Sequence, residues 1–532
     1  MKRSAIVLLA CLLAACSRGA HAVRSDTLIL DQQREPMSLN VALENGTNTM
    51  EWGELLYQFM VKYNARGRVV GDATTVVPSL DNGGVSRDGR TVTYHLRPNL
   101  RFSDGVALTS ADCVFSIAAI LNPNNNVQSR YGYDDIASAS APDPLTCVLH
   151  LKRPFAPLLA LVFAPQGFPL LPKHLLAQYP NFNRLPFSQH PIGSGPYRVV
   201  VWNHGDDVEM VPNPYYYAGK PKLAHLIVRF VSNPTTSVDR LRTGETDGLF
   251  NDESRGDAEI LRGLRGYRMV GTPINAVGAL IFNTSDPLTH DARVRTALAQ
   301  AIDIHSLIAK TYRGAMDSHA AGRGLFIWAY DPNAYPDIPY DPANADRLLD
   351  AAGWRRGADG IRSKGATRMS ILLVVQANTP GDAEIGNEIV QYERAVGVEV
   401  TIKEYNPTLF VAPVAENGPV YSGHFEMALY PFLNGDDPDT TDQFACTNVP
   451  PRGYNKSRIC DPAIDALLAR GRSTFDPAIR KAVYAQLQAR LYAQLPIALL
   501  YQGRQINTFT TRLHNESGSL SSPFWNAAGW TL

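Results

Sequence analysis

The chain has 532 residues and no formal net charge, and its composition is that of a folded protein. Hydrophobic residues make up 45% and charged residues 19%, which excludes a disordered chain. Fifty Lys and Arg balance fifty Asp and Glu, so no global basic field favours binding of nucleic acid. At about 150 residues per domain, the length predicts roughly three domains.

The first 22 residues have the order of a secretory signal. Lys2 and Arg3 precede an apolar run that is too short to span a bilayer and ends in LAAC at Cys16. This ending resembles a bacterial lipobox, which predicts cleavage before Cys16 and a diacylglycerol anchor on its thiol. Cleavage after Ala22 is the alternative and would leave a free protein. Because no later stretch approaches the roughly 18 apolar residues of a membrane span, we expect a soluble mature chain, tethered at most by lipid.

Four cysteines follow Cys16, and they predict disulfides. In the oxidising compartment that export implies, the even number of Cys113, Cys147, Cys446 and Cys460 favours two bridges. Cys446 and Cys460 enclose a polar, turn-rich segment, and closing this loop would stabilise the fold by about 3 kcal/mol in the chain-entropy model. This pair is therefore predicted first, and whether Cys113 pairs with Cys147 stays open. The sequence has no CxxC motif and no Cys/His spacing of a zinc site, so no metal is predicted on these thiols.

Strands are predicted in both halves of the chain. Alternating residues indicate half-buried strands at 91–96 and 147–151. Apolar runs at 226–231 and 371–375 predict strands that are covered on both faces.

The second apolar run begins a longer pattern. Apolar residues recur at helical spacing over 380–396, and alternation returns at 398–402. A strand, a helix and a strand in this order predict a parallel pair. Asp-Pro begins three further helical patterns, at Asp341, Asp461 and Asp476. In each we expect the Asp to cap the free amides and the Pro to occupy the first turn.

Signatures of catalysis are missing from the sequence. It contains no GxxxxGK[ST], GxSxG, HExxH or Rossmann glycine fingerprint. The GSGP segment at 193–196 lacks the spacing of a nucleophile elbow and predicts a tight turn at a domain crossing. The acidic cluster at 436–442 lacks the spacing and terminal Glu of an EF-hand, and the twelve histidines are scattered singly. We therefore predict no enzyme active site, no metal site and no cofactor.

Short blocks of sequence are spaced along the mature chain. The first is SRDGRTVTYHLRP at 86–98, continuing through FSDG at 102–105. The later blocks are GSGPY at 193–197, NPYY at 213–216, TGETD at 243–247, FNT at 282–284, RVRTAL at 293–298 and AID at 301–303. In this order the blocks resemble the signature of the family 5 extracellular solute-binding proteins. This family comprises the dipeptide and oligopeptide binding proteins of ABC importers.

The resemblance implies an α/β, two-lobed periplasmic binding protein fold of the large, three-domain class II type. The implied division is a signal segment at 1–22, lobe I at 23–75, 190–275 and 500–532, an inserted subdomain of lobe I at 76–189, and lobe II at 276–499. The lobes would close on a ligand, and a membrane permease would recognise the closed shape. We therefore expect a monomeric periplasmic protein that delivers a peptide or peptide-like solute to an ABC transporter permease.

The resemblance also implies where the ligand binds. In peptide binders of this family, an Asp four residues before the Pro of a loop block pairs with the α-ammonium of the ligand. Pro438 places Asn434 at that position, and an amide supplies no charge. Asp436 or Asp437 substitutes if the loop differs by two residues. The predicted ligand-binding residues are Tyr430, Phe432, Asn434, Asp436, Asp437 and Trp328.

Two alternatives remain open at this point. Within the family, the lost charge at Asn434 is compatible with a ligand of another kind, such as a modified peptide, an opine, haem or a chelated metal. From another class, a secreted two-lobed hydrolase would chemically change the ligand that it binds.

The segment between Cys446 and Cys460 also resembles the disulfide loop of dipeptide binders, which supports the pairing predicted above.

Overall fold

The computed structural model describes residues 26–43, 47–127, 129–250, 258–379, 381–519 and 522–532. The predicted signal segment at 1–22 lies outside the described residues, and so do Cys16 and the alternative cleavage site at Ala22. Within the described ranges, no helix has both the length and the hydropathy needed to cross a bilayer.

A ten-stranded mixed sheet runs through the molecule. In spatial order its strands are β16 (Glu399–Tyr405), β15 (Ser370–Gln376), β17 (Met427–Leu433), β11 (Tyr267–Phe282), β18 (Ile497–Thr510), β10 (Gly248–Leu249), β1 (Thr27–Gln32), β9 (His225–Phe230), β8 (Asp207–Pro212) and β7 (Tyr197–Asn203). The two long strands β11 and β18 pair antiparallel at the centre. They join the strands of the N-terminal half to those of residues 370–433.

Smaller sheets and helices surround this sheet. The small sheets contain β4 (Thr91–His95), β6 (Thr146–Leu151) and β5 (Ile136–Asp143); β2 (Val61–Tyr63) and β3 (Val69–Gly71); and β12 (Arg355–Arg356), β13 (Arg362–Lys364) and β14 (Thr367–Arg368). The helices are α1 (Thr47–Leu56), α2 (Ser110–Leu121), α3 (Leu158–Leu161), α4 (Lys173–Leu176), α5 (Pro234–Thr243), α6 (Ala258–Arg262), α7 (Ala292–Ala301), α8 (Ile304–Tyr312), α9 (Arg323–Phe326), α10 (Pro342–Ala351), α11 (Asp382–Ala395), α12 (Pro407–Phe410), α13 (Pro419–Ser422), α14 (Thr441–Phe444), α15 (Pro462–Ser473) and α16 (Pro477–Gln494).

The strands predicted from alternation and the parallel pair are confirmed. Strands β4 and β6 pair antiparallel, and β15 and β16 pair parallel on either side of α11. The prediction of two covered faces is wrong for β9, where Leu226 and Val228 are buried but Ile227 and Arg229 are partly exposed. Only one face of β9 therefore contacts the core, although its apolar sequence suits burial on both.

The three Asp-Pro helix starts are confirmed with their caps. The side chain of Asp341 accepts a hydrogen bond from the backbone N–H of Asn344, at the start of α10. Asp461 accepts from Ala463 in α15, and Asp476 accepts from two backbone amides in α16. In each helix, a Pro without an N–H occupies the first turn, where that donor would have no partner within the helix.

Buried side chains separate into a core around the N-terminal half of the sheet and two cores around the other half. The first joins residues between 28 and 230 with Phe250 and the segment 509–530, and the other two lie between 277 and 501. A small fourth cluster contains Val238, Leu241, Leu249 and Leu261. Cys113 and Cys147 lie in the first core with their Cα atoms 6.5 Å apart, and the Cα atoms of Cys446 and Cys460 are 4.5 Å apart. Both pairs are at disulfide distance.

Candidate functional site

A cavity of about 520 Å³ lies between two segments that are far apart in the sequence. One side is formed by residues of 129–166, here the 129–166 wall, and the other by residues of 421–456, here the 421–456 wall. Leu325 completes the lining. A neighbouring cavity measures about 70 Å³, so the larger one is the candidate site for a small organic molecule or a short peptide.

Strand β17 places an aromatic surface on the 421–456 wall. Tyr430 and Phe432 are two residues apart, so they project from the same face of the strand, and their ring centres lie 5.3 Å apart. Tyr421 and Tyr454 reach the cavity from the segments before and after this strand. The aromatic rings offer contact area to a ligand without fixing its chemical identity.

The aromatic surface surrounds the side-chain ammonium of Lys456. Its Nζ atom lies 4.4 Å from the ring centre of Tyr430, 5.0 Å from Tyr421, 5.4 Å from Tyr454 and 5.5 Å from Phe432. Lys456 is 4% exposed, and burial lowers the pKa of its ammonium to about 8. Among the described residues, this Nζ has no hydrogen bond and no ion pair within 4 Å. It is therefore a charged group at neutral pH that an anion of a ligand can reach.

Two carboxylates of the loop after β17 are neutralised by arginines. Asp437 accepts two hydrogen bonds from the guanidinium of Arg480, at 2.6 and 2.8 Å. Asp439 lies 3.2 Å from Arg472 Nε and accepts a hydrogen bond of 3.0 Å from the hydroxyl of Tyr131. Because both charges are paired within the protein, neither carboxylate is a free anchor for an ammonium group.

A third carboxylate at the cavity has no such counter-ion. Asp442 Oδ1 accepts a hydrogen bond of 3.2 Å from the side-chain amide of Asn448, and burial raises the pKa of Asp442. Within the described part of the chain, no Lys, Arg or His lies within 4 Å of this carboxylate. Thr440 Oγ1 and Gln443 Oε1 also line the cavity, and they are buried without a hydrogen-bond partner among the described residues. Such polar atoms favour a ligand that supplies the missing hydrogen bonds.

The structure places four of the six predicted ligand-binding residues on the cavity: Tyr430, Phe432, Asn434 and Asp437. The amide of Asn434 is bonded within the protein, since Nδ2 donates to Gly324 O at 2.8 Å and Oδ1 accepts from Gln443 Nε2 at 2.6 Å. Asp436 is buried beside the cavity and accepts a hydrogen bond from Asn275.

Trp328, the remaining predicted residue, is not among the described residues that line the cavity. Its ring centre lies 5.3 Å from the guanidinium carbon of Arg480, which neutralises Asp437. Ligand contact by the six residues stays a prediction.

Several residues of the site were not predicted from the sequence. Lys456 lies in the turn-rich segment between Cys446 and Cys460, and that enclosure is the one local signal that singles it out. Arg472 and Tyr131 meet at the cavity although 341 residues separate them, and no local pattern predicts that contact.

Several known proteins are similar to this chain in sequence or in fold. The sequence profile of the bacterial extracellular solute-binding proteins, family 5 Middle, matches residues 75–455. Protein XP55 of Streptomyces lividans is 29% identical over 429 residues, which are 77% of this chain and 72% of that protein. The glutathione-binding protein GsiB of Pectobacterium atrosepticum is 27% identical over 440 residues, 81% of each chain. The solved structure of the ABC transporter substrate-binding protein CtaP of Listeria monocytogenes has a TM-score of 0.82 at 20% identity, covering 96% of this chain and 99% of that one.

Proposed function

The chain belongs to family 5 of the bacterial extracellular solute-binding proteins, and on this premise we propose that it binds a short peptide with free termini. It is the substrate-binding component of an ABC importer and has the α/β, two-lobed periplasmic binding protein fold that the sequence predicted. The ligand is captured in the cavity between the 129–166 wall and the 421–456 wall and is delivered to the membrane permease.

The observation that carries the proposal is a pair of opposite charges at the cavity, neither of which has an ion-pair partner within 4 Å among the described residues. The ammonium of Lys456 and the carboxylate of Asp442 both face the cavity, and they do not pair with each other within 4 Å. A zwitterion matches this arrangement, with its carboxylate on Lys456 and its ammonium on Asp442. Asp442 thereby supplies the charge that Asn434 lacks.

Binding measurements with matched peptides test this assignment. Any ligand retained by protein from its own host is first identified by native mass spectrometry and then removed. A short peptide, its C-terminal amide and its N-acetylated form are compared by isothermal titration calorimetry. We expect each blocked form to bind at least about tenfold more weakly, because the ammonium of Lys456 or the carboxylate of Asp442 then lacks a charged partner. Equal affinity for the free and blocked peptides, or tight binding only of a solute that is not a peptide, would contradict the proposal.

Two substitutions test which residue binds each terminus of the peptide. Lys456→Met should weaken binding of the free peptide but remove the difference between free and amidated peptide. Asp442→Asn should also weaken binding of the free peptide, and it should remove the difference between the free and the N-acetylated peptide. Lys220→Met is the matched control, because Lys220 is exposed and does not line the cavity.

The remaining assignments are part of the same proposal. The mature protein is a periplasmic monomer, anchored through a lipid on Cys16, with disulfides Cys113–Cys147 and Cys446–Cys460. The lobes and the inserted subdomain have the limits given in the sequence analysis. The separate buried cores support the division between the two lobes, and the inserted subdomain shares one core with lobe I. The protein is not an enzyme, so we expect the ligand to be recovered chemically unchanged.

A further inference from the structure

A cluster of two histidines and an aspartate lies in the half of the molecule that contains residues 277–501, outside the cavity lining. Helix α8 carries His305 in its first turn, the following loop carries His319, and the loop before α10 carries Asp337. The potential ligand atoms of the three side chains all lie within 4.8 Å of one another. The two imidazole rings stack with their centres 4.0 Å apart.

The three side chains lie close together but are too far apart to hydrogen-bond to one another. Asp337 Oδ2 is 4.0 Å from His305 Nε2 and 3.7 Å from His319 Nδ1. Both distances exceed the reach of a hydrogen bond. Neighbouring ligands around a tetrahedral zinc ion with bonds of about 2.0 Å are separated by roughly 3.3 Å, so binding requires the three side chains to approach one another and the stacked imidazole rings to turn until both planes pass through the ion.

Other hydrogen bonds orient two of the three side chains. His305 Nδ1 lies 3.0 Å from Ser318 Oγ, which leaves Nε2 as the nitrogen that faces Asp337. Asp337 Oδ1 accepts a hydrogen bond of 2.9 Å from the backbone N–H of Ala320, which leaves Oδ2 to face the histidines. Metal sites in proteins use this kind of support to fix the ligand atom and the ring orientation.

From this geometry we propose that His305, His319 and Asp337 form a binding site for a divalent transition-metal ion of the zinc type. Imidazole nitrogen and carboxylate oxygen are suitable ligands for such ions, and three protein ligands leave a coordination position open to water. All three side chains are partly exposed, so the ion can enter from solvent. The site is separate from the peptide site proposed above and does not depend on that function.

The site would connect elements that support the cavity. The loop that carries His319 leads directly into α9, where Gly324 O accepts the hydrogen bond from Asn434 and Leu325 lines the cavity. A bound ion would link this loop to α8 and to the segment that contains Asp337. We therefore expect the metal to raise the thermal stability of this half of the molecule.

Zinc titration of the metal-free, tag-free protein tests the proposal. We expect one equivalent of zinc by calorimetry, and His319→Gln should weaken its binding by at least about tenfold. His319 is 73% exposed, so this change should leave the fold intact. His190→Gln removes another exposed histidine as a matched control.

Cobalt(II) gives a second readout that does not depend on affinity alone. We expect visible absorption bands of a low-coordinate cobalt site in the natural protein and their loss in His319→Gln. Absence of stoichiometric zinc binding, or zinc binding that His319→Gln leaves unchanged, would overturn the proposal. Retained binding in His190→Gln together with loss in His319→Gln would support it.

Discussion

Lys456 is the residue whose chemistry depends most on its surroundings. Burial among four rings lowers the pKa of its ammonium to about 8, and a ligand carboxylate binds only the protonated form. The α-amino group of a free peptide also titrates at about pH 8, so an N-acetylated peptide with a free carboxylate isolates the effect of Lys456. Its affinity should be constant well below pH 8 and fall as the pH rises through about 8. The decrease should approach tenfold per pH unit until the pKa of the complex is reached.

Calorimetric titrations at about one pH unit below and one above that pKa measure the effect. The C-terminal amide of the same peptide and the Lys456→Met variant should both lack this pH dependence. If the variant retains it, another group in the cavity titrates and Lys456 is not the anchor.

The side chain of Asn434 is hydrogen-bonded within the protein, so we expect it to support the structure of the loop. Its Nδ2 donates to Gly324 O at 2.8 Å, and the side chain is 6% exposed. Asn434→Asp would place a carboxylate oxygen against that carbonyl oxygen, so we expect the free energy of unfolding to fall by roughly 2 kcal/mol. Thermal unfolding at neutral pH measures the loss, and Asn124→Asp at an exposed position is the control. An unchanged melting temperature together with stronger binding of free-amine peptides would show that the loop can form the family's usual anchor.

Helix α16 carries both its capping residue, Asp476, at its start and Arg480, which contacts the candidate site. Asp476 accepts hydrogen bonds from the backbone amides of Ala478 and Ile479, at 2.8 and 3.0 Å, and the same helix carries Arg480 to Asp437. We expect Asp476→Ala to destabilise the protein by about 1 kcal/mol through loss of the cap.

Because α16 holds Arg480, this variant should also bind the ligand more weakly than Asp81→Ala, a change at an exposed position outside any helix. Melting temperature and calorimetric affinity are measured on both variants. Equal values for the two would mean that the cap contributes neither to stability nor to the site.

Local sequence patterns predicted the helices and strands themselves, but not which other elements pack against them. Alternation, helical spacing and Asp-Pro starts depend on neighbouring residues, so β15, α11, β16 and the three capped helices could be predicted. The exposure of one face of β9 could not, because coverage of a strand depends on which elements the rest of the chain brings to it.

At the scale of the whole molecule, the site depends on contacts that sequence patterns do not contain. The family blocks predicted the fold and the region of Tyr430 to Asp437. Counter-ions decide which charges a ligand can reach, and Arg480 lies 43 residues from the Asp437 that it neutralises. The availability of Lys456 and Asp442 follows in the same way from the partners that the fold gives to the other charged residues.

The two walls of the cavity meet at Tyr131. Its hydroxyl donates to Asp439 Oδ2 at 3.0 Å and accepts from Arg472 Nη2 at 3.2 Å, and the backbone N–H of Ala156 donates to Arg472 O at 2.8 Å. The ring of Tyr131 packs edge-on against Phe155, with the ring centres 5.8 Å apart. The hydroxyl therefore forms hydrogen bonds to residues of the other side of the cavity, and the ring packs against Phe155 on its own side. The guanidinium carbon of Arg472 also lies over the ring, 5.8 Å from its centre.

Tyr131→Phe should remove the two hydrogen bonds of the hydroxyl and keep the ring packing and the backbone hydrogen bond between Ala156 and Arg472. A hydrogen bond to a charged group contributes about 1.5–3 kcal/mol. We therefore expect the arrangement in which the two walls are in contact to be less populated, and ligand dissociation to be at least about tenfold faster. Stopped-flow displacement measures the dissociation rate, and small-angle scattering of the ligand-free protein measures opening without any ligand contact. Tyr179→Phe, an exposed tyrosine that does not line the cavity, is the matched control. Faster dissociation with unchanged scattering would mean that Tyr131 contacts the ligand but does not hold the walls together.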